Sequence, residues 1–446
     1  MARVLCVDFG STFTKGALVD TDDGTLVATG SHLTTATTDV LVGYAAIRAT
    51  IAAERVDEVL ACSSAGGGLR LAVVGYERLV TAEAGFRVGL SAGARVVHVA
   101  SGAMTATDVK QLRDARPDVV LLVGGTDDGN SEVLLHNARR LGIGRVPAPV
   151  VVAGNADASN EALRELVSRG RRAVVTANVL PRIGVLDAEP ARAAIRKMFI
   201  RHVIGGKGLS RGPAFAAMVR AATPDAVLAG VEVLADGAPG VPGVGDVIVV
   251  DVGGATTDVY SVITASGEDA VLRKEVVQTM WRARTVEGDL GMRWNAPGTV
   301  VAARAEGLVA DGDPLQAYAE RVAADPSWLP QDPAHDAHLA RLAVTMALRR
   351  HGRPAGPASA PRPLRDVRLV VGSGGVLRHN DSGVRADVLS PAVTDHGGGW
   401  RVPRSATLAV DDRYVLFAAG LLAHQAPRAA AVLATTGLRV VPVPQE

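Results

Sequence analysis

Short apolar runs rich in Val, Ile and Leu alternate along the chain with longer Ala-, Arg- and Leu-rich stretches, a pattern that predicts strands and helices in alternation. The runs predict strands over residues 3–7, 17–19, 56–62, 95–100, 119–123, 150–153, 247–251, 259–263 and 367–371. The longer stretches predict helices over 40–53, 131–141, 160–169, 190–200, 339–351 and 414–424, with Asn130 or Ser131 and Ser159 as candidate N-caps. Such alternation belongs to α/β layering. The Gly/Pro-rich stretch DGAPGVPGVG, residues 236–245, precedes a fresh strand and marks a boundary. An N-terminal lobe, 1–245, and a C-terminal lobe, 246–446, are therefore expected. A second loose stretch, 351–364, reads as a surface loop.

A length of 446 residues exceeds one ordinary core and suggests two to four units. Apolar residues make up 48% but aromatics only 3%, so the core must be built from closely packed Ala, Val, Leu and Gly. A net charge of +1 gives no global field to attract nucleic acid or anionic membrane. Cys6 and Cys62 both lie in apolar strand-like runs, and two cysteines do not make a secreted disulfide framework. The N-terminus lacks a signal-type apolar region and no apolar run reaches the length of a membrane span, so a soluble cytoplasmic protein is expected.

The candidate chemistry begins at VLCVDFGSTFTKGALVD, Val4 to Asp20, where an apolar strand ends in Asp8 and is followed by Gly10, Ser11, Thr12, Thr14 and Lys15. A plain turn would need only the glycine. The segment recurs as DVIVVDVGGATTDVYSV, Asp246 to Val262, so that Asp8 to Lys15 aligns with Asp251 to Asp258 at a constant offset of 243. The two halves thus read as copies of one fold. In each copy a glycine turn lets backbone N–H groups approach phosphate, and Gly253, Gly254, Thr256 and Thr257 repeat the first set of donors. The acids at the strand ends suit a hydrated divalent cation or an attacking water, with Asp8, Asp251 and Asp258 as candidate metal residues. Lys15 suits a point charge over the phosphates. Asp8, Asp251 and Lys15 are the candidate catalytic residues. A third element, VRLVVGSGGVLRH, ends a strand in Gly372, Ser373, Gly374 and Gly375, where a flat ring and ribose could pass close to the backbone.

Together these motifs resemble the phosphate-1, phosphate-2 and adenosine segments of the superfamily of sugar kinases, heat-shock chaperones and actin. The resemblance implies a duplicated actin-like, ribonuclease H-like ATPase fold, with two lobes around a cleft for ATP and Mg²⁺. It also places the two interdomain connecting helices at Asn178–Gly184 and Phe417–Gly420. More narrowly, CSSAGGGLR, LLVGGTDDGN, ANVLPRIGVLD and RTVEGDLGMR resemble the MutL or GlmL family of glutamate mutase accessory proteins, over about residues 1–425. That resemblance implies an ATP-dependent reactivase or chaperone whose partners are subunits of an adenosylcobalamin-dependent mutase.

Other segments have plainer readings. Gly124–Asp127 reads either as a turn or as the first-half counterpart of GSGG. Glu287-Gly288-Asp289 resembles the loop after phosphate-2 in chaperone ATPases, but solvated acids before a helix are the ordinary case. Asp332, His335, Asp336 and His338 read as a solvated loop rather than a metal cluster. Asp336-Ala-His338 resembles a cobalamin motif, yet Arg341 stands where that motif requires glycine, so no cobalamin bound through a lower histidine is expected. Arg349-Arg350-His351 suits a helix C-terminus. The competing function is a small-molecule kinase or a hydantoinase-like enzyme, which needs a general base and an acceptor pocket. No clear base motif is present, which favours the chaperone. A filament-forming actin relative has no discriminating motif.

Overall fold

The structure, a computed structural model, describes residues 2–442 apart from 52–53, 66–68, 78–79, 93, 205–207, 264–281, 354–361 and 399–401. The glycines of CSSAGGGLR and most of the expected surface loop at 351–364 lie outside the described residues.

The N-terminal half opens with β1 (Arg3–Phe9), β2 (Phe13–Asp20), β3 (Leu26–Leu33) and β4 (Glu58–Ser63). A separate group follows: β5 (Arg70–Gly75), β6 (Arg95–Ser101), β7 (Val119–Leu122), β8 (Val150–Val152) and β9 (Ala173–Val175). β10 (Val219–Ala222) then returns to the first sheet, whose order is β3-β2-β1-β4-β10. A small hairpin, β11 (Gly237–Ala238) and β12 (Val241–Pro242), falls in the Gly/Pro-rich stretch. The C-terminal sheet comprises β13 (Val247–Val252), β14 (Thr257–Val262), β15 (Arg282–Glu287), β16 (Leu369–Ser373), β17 (Thr407–Val410) and β18 (Arg439–Val440). Its order is β15-β14-β13-β16-β17-β18.

In both halves the first three strands form an antiparallel meander, and the next two add parallel to the first on its other side. The order 3-2-1-4-5 therefore occurs twice, and the fold is the duplicated actin-like one. β1 and β13 are central and apolar on both faces, because each carries a packed layer on either side. One layer is shared. Val4, Cys6 and Val19 of the first sheet and Val247, Val249 and Tyr260 of the second pack on the Thr223–Asp236 and Leu416–Leu422 helices between them. The outer face of the C-terminal sheet is covered by helices that include Ala334–Gly352.

The third sheet, with order β6-β5-β7-β8-β9 and all strands parallel, was not anticipated. It is inserted between β4 and β10, and its inner face shares a core with Leu5, Val7 and Phe9 of β1. β6, β7 and β8 answer to the expected strands at 95–100, 119–123 and 150–153, whereas β5, which is buried along most of its length, is a strand the sequence pattern does not predict.

Three helix expectations shift. Asn178–Gly184 is not helical; Asn178 instead donates to the Gly125 carbonyl at 3.0 Å and the Asp127 carboxylate at 2.9 Å within the insert. The connecting helix expected there is Thr223–Asp236, which crosses Leu416–Leu422. Ser159 lies inside the Ala156–Val167 helix, whose cap is Asn155. The helix expected at 339–351 begins at Ala334, so His335, Asp336 and His338 lie on its first turns rather than in a loop. There Asp336 is buried, accepting from both terminal nitrogens of Arg293 at 2.8 and 2.7 Å and from the Tyr318 hydroxyl at 2.8 Å.

Candidate phosphate hairpins and the site between the halves

The β1–β2 and β13–β14 turns have the same geometry. Asp8 stands opposite Lys15 and Asp251 opposite Asp258, and the offset of 243 holds in three dimensions. In each turn the glycine N–H donates to the carbonyl three residues on, Gly10 to Phe13 at 3.1 Å and Gly253 to Thr256 at 2.9 Å. A Cβ on Gly10 would stand 2.6 Å from the Phe13 oxygen, and one on Gly253 would stand 2.8 Å from the Thr256 oxygen, so neither position tolerates a side chain.

Each tip has its carbonyls tied back. Thr34 binds the first, donating its hydroxyl to the Gly10 carbonyl at 2.8 Å and its N–H to Thr12 at 2.9 Å. At the second, the N–H groups of Met292 and Arg293 donate to Gly253 at 3.0 Å and Gly254 at 2.8 Å, and the Asn295 amide donates to Ala255 at 2.6 Å. The N–H groups of Ser11, Thr12, Gly254 and Ala255 have no acceptor among the described residues. Two turns that consume carbonyls and present N–H groups fit oxyanions.

The hydroxyls divide. Ser11 and Thr12 are exposed. Thr14 and Thr257, expected to face phosphate, are buried and brace their hairpins, Thr14 to the Thr34 hydroxyl at 3.0 Å and Thr257 to the Leu290 carbonyl at 3.1 Å. Thr256 lies 3.4 Å from the Asp258 carboxylate.

The acids are unequal. Asp8 is 1% exposed and accepts from Thr223 at 2.5 Å, Cys62 at 3.6 Å and Tyr414 at 3.3 Å. Burial pushes its carboxyl upward, with Lys15 and the Thr223 and Cys62 donors opposing and the Asp251 charge adding. Asp251 is partly exposed and has no hydrogen-bond partner among the described residues. Asp258 is ion-paired to Arg284 at 2.8 Å, so its carboxylate is already engaged, while burial pushes it upward. Among the described residues no three His, Cys, Asp or Glu side chains converge to hold a metal ion. Lys15 lies 3.3 Å from the centre of the Tyr414 ring, a cation–π contact that spans the two halves. Tyr414 has a φ of 56°, a left-handed conformation that a bulky side chain rarely adopts.

Asp411 was not singled out in the sequence. It is buried at the start of the second connecting helix and accepts from the Val415 and Leu416 N–H groups at 2.8 and 3.1 Å. Burial pushes its carboxyl up to about 6, with the neighbouring Asp251 charge adding and the helix N–H groups opposing. Between pH 4 and 6 the native state therefore binds a proton that the unfolded chain has released, and this group's contribution to stability falls as pH rises. Its full size is about 3 kcal/mol. Relative to wild type, Asp411→Asn is expected to gain in melting temperature from pH 4.5 to pH 7; a difference that stays flat contradicts the assignment.

The third element also divides. Gly372 is filled by the protein itself, since a Cβ there would stand 2.8 Å from a Leu389 methyl. Gly374, with a φ of 114°, abuts the Val252 carbonyl, and Ser373 pairs with Asp251 across the sheet. Gly375 has nothing within 4 Å of a Cβ position, which leaves room for a ligand. In the first half the strand end equivalent to Ser373 is Cys62, which pairs with Asp8. Gly124–Asp127 instead follows β7 of the inserted sheet, outside any strand. Glu287 and Asp289 are ion-paired by Arg350, not free in solvent. Arg349 likewise pairs with Asp395 and Glu306, and His351 is buried against the hydroxyls of Ser261 and Thr285. Among the described residues no helix is long and apolar enough to cross a membrane.

Residues 4–438 match the family model described as MutL protein. Protein MutL of Clostridium tetanomorphum is 35% identical over 453 aligned positions, covering 96% of this chain and 97% of the relative. Among solved structures, an acetone carboxylase has 15% identity and a TM-score of 0.37, over 94% of this chain and 70% of its own. A xylulose kinase from Lactobacillus acidophilus has 11% identity and the same TM-score, over 100% and 94%. Scores of that size carry no weight for function. The family match and the relative, each spanning nearly the whole sequence, place this chain in the MutL protein family.

Proposed function

We propose that the chain binds ATP with Mg²⁺ between its two halves and uses slow hydrolysis to reactivate an adenosylcobalamin-dependent glutamate (methylaspartate) mutase or a related mutase. The observation that carries the nucleotide reading is the paired hairpin geometry, two tips with carbonyls tied back and N–H groups presented. Membership of the family supports the accessory role, through the association that the sequence resemblance implies.

In this reading the N–H groups at both tips, with Ser11, Thr12 and Thr256, hold phosphate oxygens. Lys15 places its charge beside them, steadied by the Tyr414 ring. Gly374 and Gly375 border the adenosine. Asp251, the partly exposed acid without a protein partner, orients a water by accepting its proton's hydrogen bond. Asp8 holds Thr223 and Tyr414, joining the site to the connecting helices. Mg²⁺ would neutralise phosphate charge, held chiefly through water and phosphate with Asp251 beside it, as suits a small, strongly hydrated cation. Asp258, paired to Arg284, serves to position the second hairpin. Contacts from both hairpins to one ligand favour the closed arrangement of the halves, which supplies the differential affinity a conformational switch requires.

The test is to inactivate a cobalamin-dependent mutase by turnover, add this protein with ATP, Mg²⁺ and fresh adenosylcobalamin, and measure recovered activity. ATP-dependent recovery is expected. Equal recovery without ATP, or rapid phosphorylation of a sugar or carboxylate acceptor in a substrate screen, overturns the reading.

A further inference from the structure

A cavity of about 230 Å³ lies between the inserted sheet and the C-terminal half, apart from the hairpin tips. Arg95 of β6 and Phe86 form part of its insert wall; Arg350, Arg353, Arg362 and Glu287 form part of the other. Four guanidinium groups thus meet one carboxylate in the lining. Arg350 is committed to Glu287 and Asp289, at 2.9 and 2.7 Å. The half-exposed Arg353 makes a looser pair with Glu306 at 3.3 Å, and Arg362 donates to the His351 carbonyl. Arg95 lies against Gly288, its guanidinium 2.9 Å from where a Cβ would stand, and has no carboxylate within hydrogen-bond reach among the described residues. Counting Asp289 and Glu306 behind the wall, positive charge still exceeds negative. Phe86 and the aliphatic neighbours lower the local polarity, which strengthens attraction for an anion.

We propose that this cavity is a binding site for a small oxyanion, a phosphate or a short dicarboxylate, held by Arg95 from the insert and by Arg353 from the C-terminal half, beside the ion-paired Arg350. Arginine forks suit both ligands, since each presents paired oxygens. A bound anion ties the insert to the Glu287–Asp289 turn. The Gly288 carbonyl of that turn accepts from the Asn295 amide at 2.8 Å, and the same amide nitrogen holds Ala255 of the second hairpin. The site is therefore one side chain from that hairpin, and it stands independently of the nucleotide reading.

The experiment is calorimetric titration of the full chain with inorganic phosphate and, separately, with succinate at fixed ionic strength. Wild type is compared with Arg95→Ala, Arg353→Ala and Lys15→Ala, each first checked by melting temperature. At least one probe is expected to saturate a site that persists in Lys15→Ala and that loses at least tenfold in affinity in Arg95→Ala or Arg353→Ala. The arm that saturates tells phosphate from dicarboxylate. Failure of both probes to saturate, undiminished binding in both arginine variants, or loss confined to Lys15→Ala overturns the proposal.

Discussion

Asp251→Ala is expected to leave the fold intact and to lower ATP hydrolysis by about 100-fold or more, the scale of losing a group that orients a reacting water. The reason lies in the division of labour among the acids. Asp8 is enclosed by three donors, Asp258 is held by Arg284, and Asp411 accepts from the Val415 and Leu416 N–H groups. Asp251 alone of these four combines partial exposure with a carboxylate that lacks a partner among the described residues. Removing it leaves no protein donor orphaned, so the melting temperature should hold or rise, because a repulsive neighbour of Asp8 and Asp411 is gone. Steady-state hydrolysis beside a melting curve checks both halves of the prediction. Wild-type turnover in the variant would remove Asp251 from the mechanism.

Gly420→Ala is expected to be the more damaging change to stability. The two connecting helices approach so closely that a Cβ on Gly420 would fall on the Ala226 carbonyl, and one on Gly230 would fall on the Leu416 carbonyl. Backbone cannot yield as a flexible side chain does, so one methyl forces the helices apart in the core shared by both sheets. A cost of about 3 kcal/mol follows, at the upper end for overpacking, and a fall of roughly 3 °C in melting temperature for a chain of this length. Gly375→Ala, with open space at its Cβ, is the control and should melt like wild type. Equal melting of Gly420→Ala and wild type would mean that the helices are not packed in this way.

The same crossing shows where the sequence was legible. Phe417–Gly420, where the superfamily resemblance implies a connecting helix, lies in the helix Leu416–Leu422. Its partner was missed although Thr223-Pro224-Asp225 carries a helix-start signature, with Pro in the first turn and an acid beside the N-terminus. Asp8 and Asp251 are legible as matching strand-end acids because a repeat survives in one dimension. Asp411, Thr34 and Tyr414 are not legible, since their roles arise when distant segments meet: Tyr414 reaches Asp8 across 406 positions of sequence. An acid before an apolar helix could have pointed to Asp411. Nothing local distinguishes the buried Thr14 and Thr257 from the exposed Ser11 and Thr12, because which hydroxyl faces inward is set by strand alternation at the turn. The insert was hidden for a different reason: β5, buried along most of its length, has no polar alternation to mark its face, and the short apolar β7 and β8 do not reveal which sheet they join.

The most direct measurement is calorimetric titration of the full chain with ATP and Mg²⁺, repeated on Lys15→Ala. Saturable binding near one ATP per chain, weakened at least tenfold in the variant, is the predicted result. Absence of both heat and thermal stabilisation in the wild-type protein would contradict a nucleotide site between the halves.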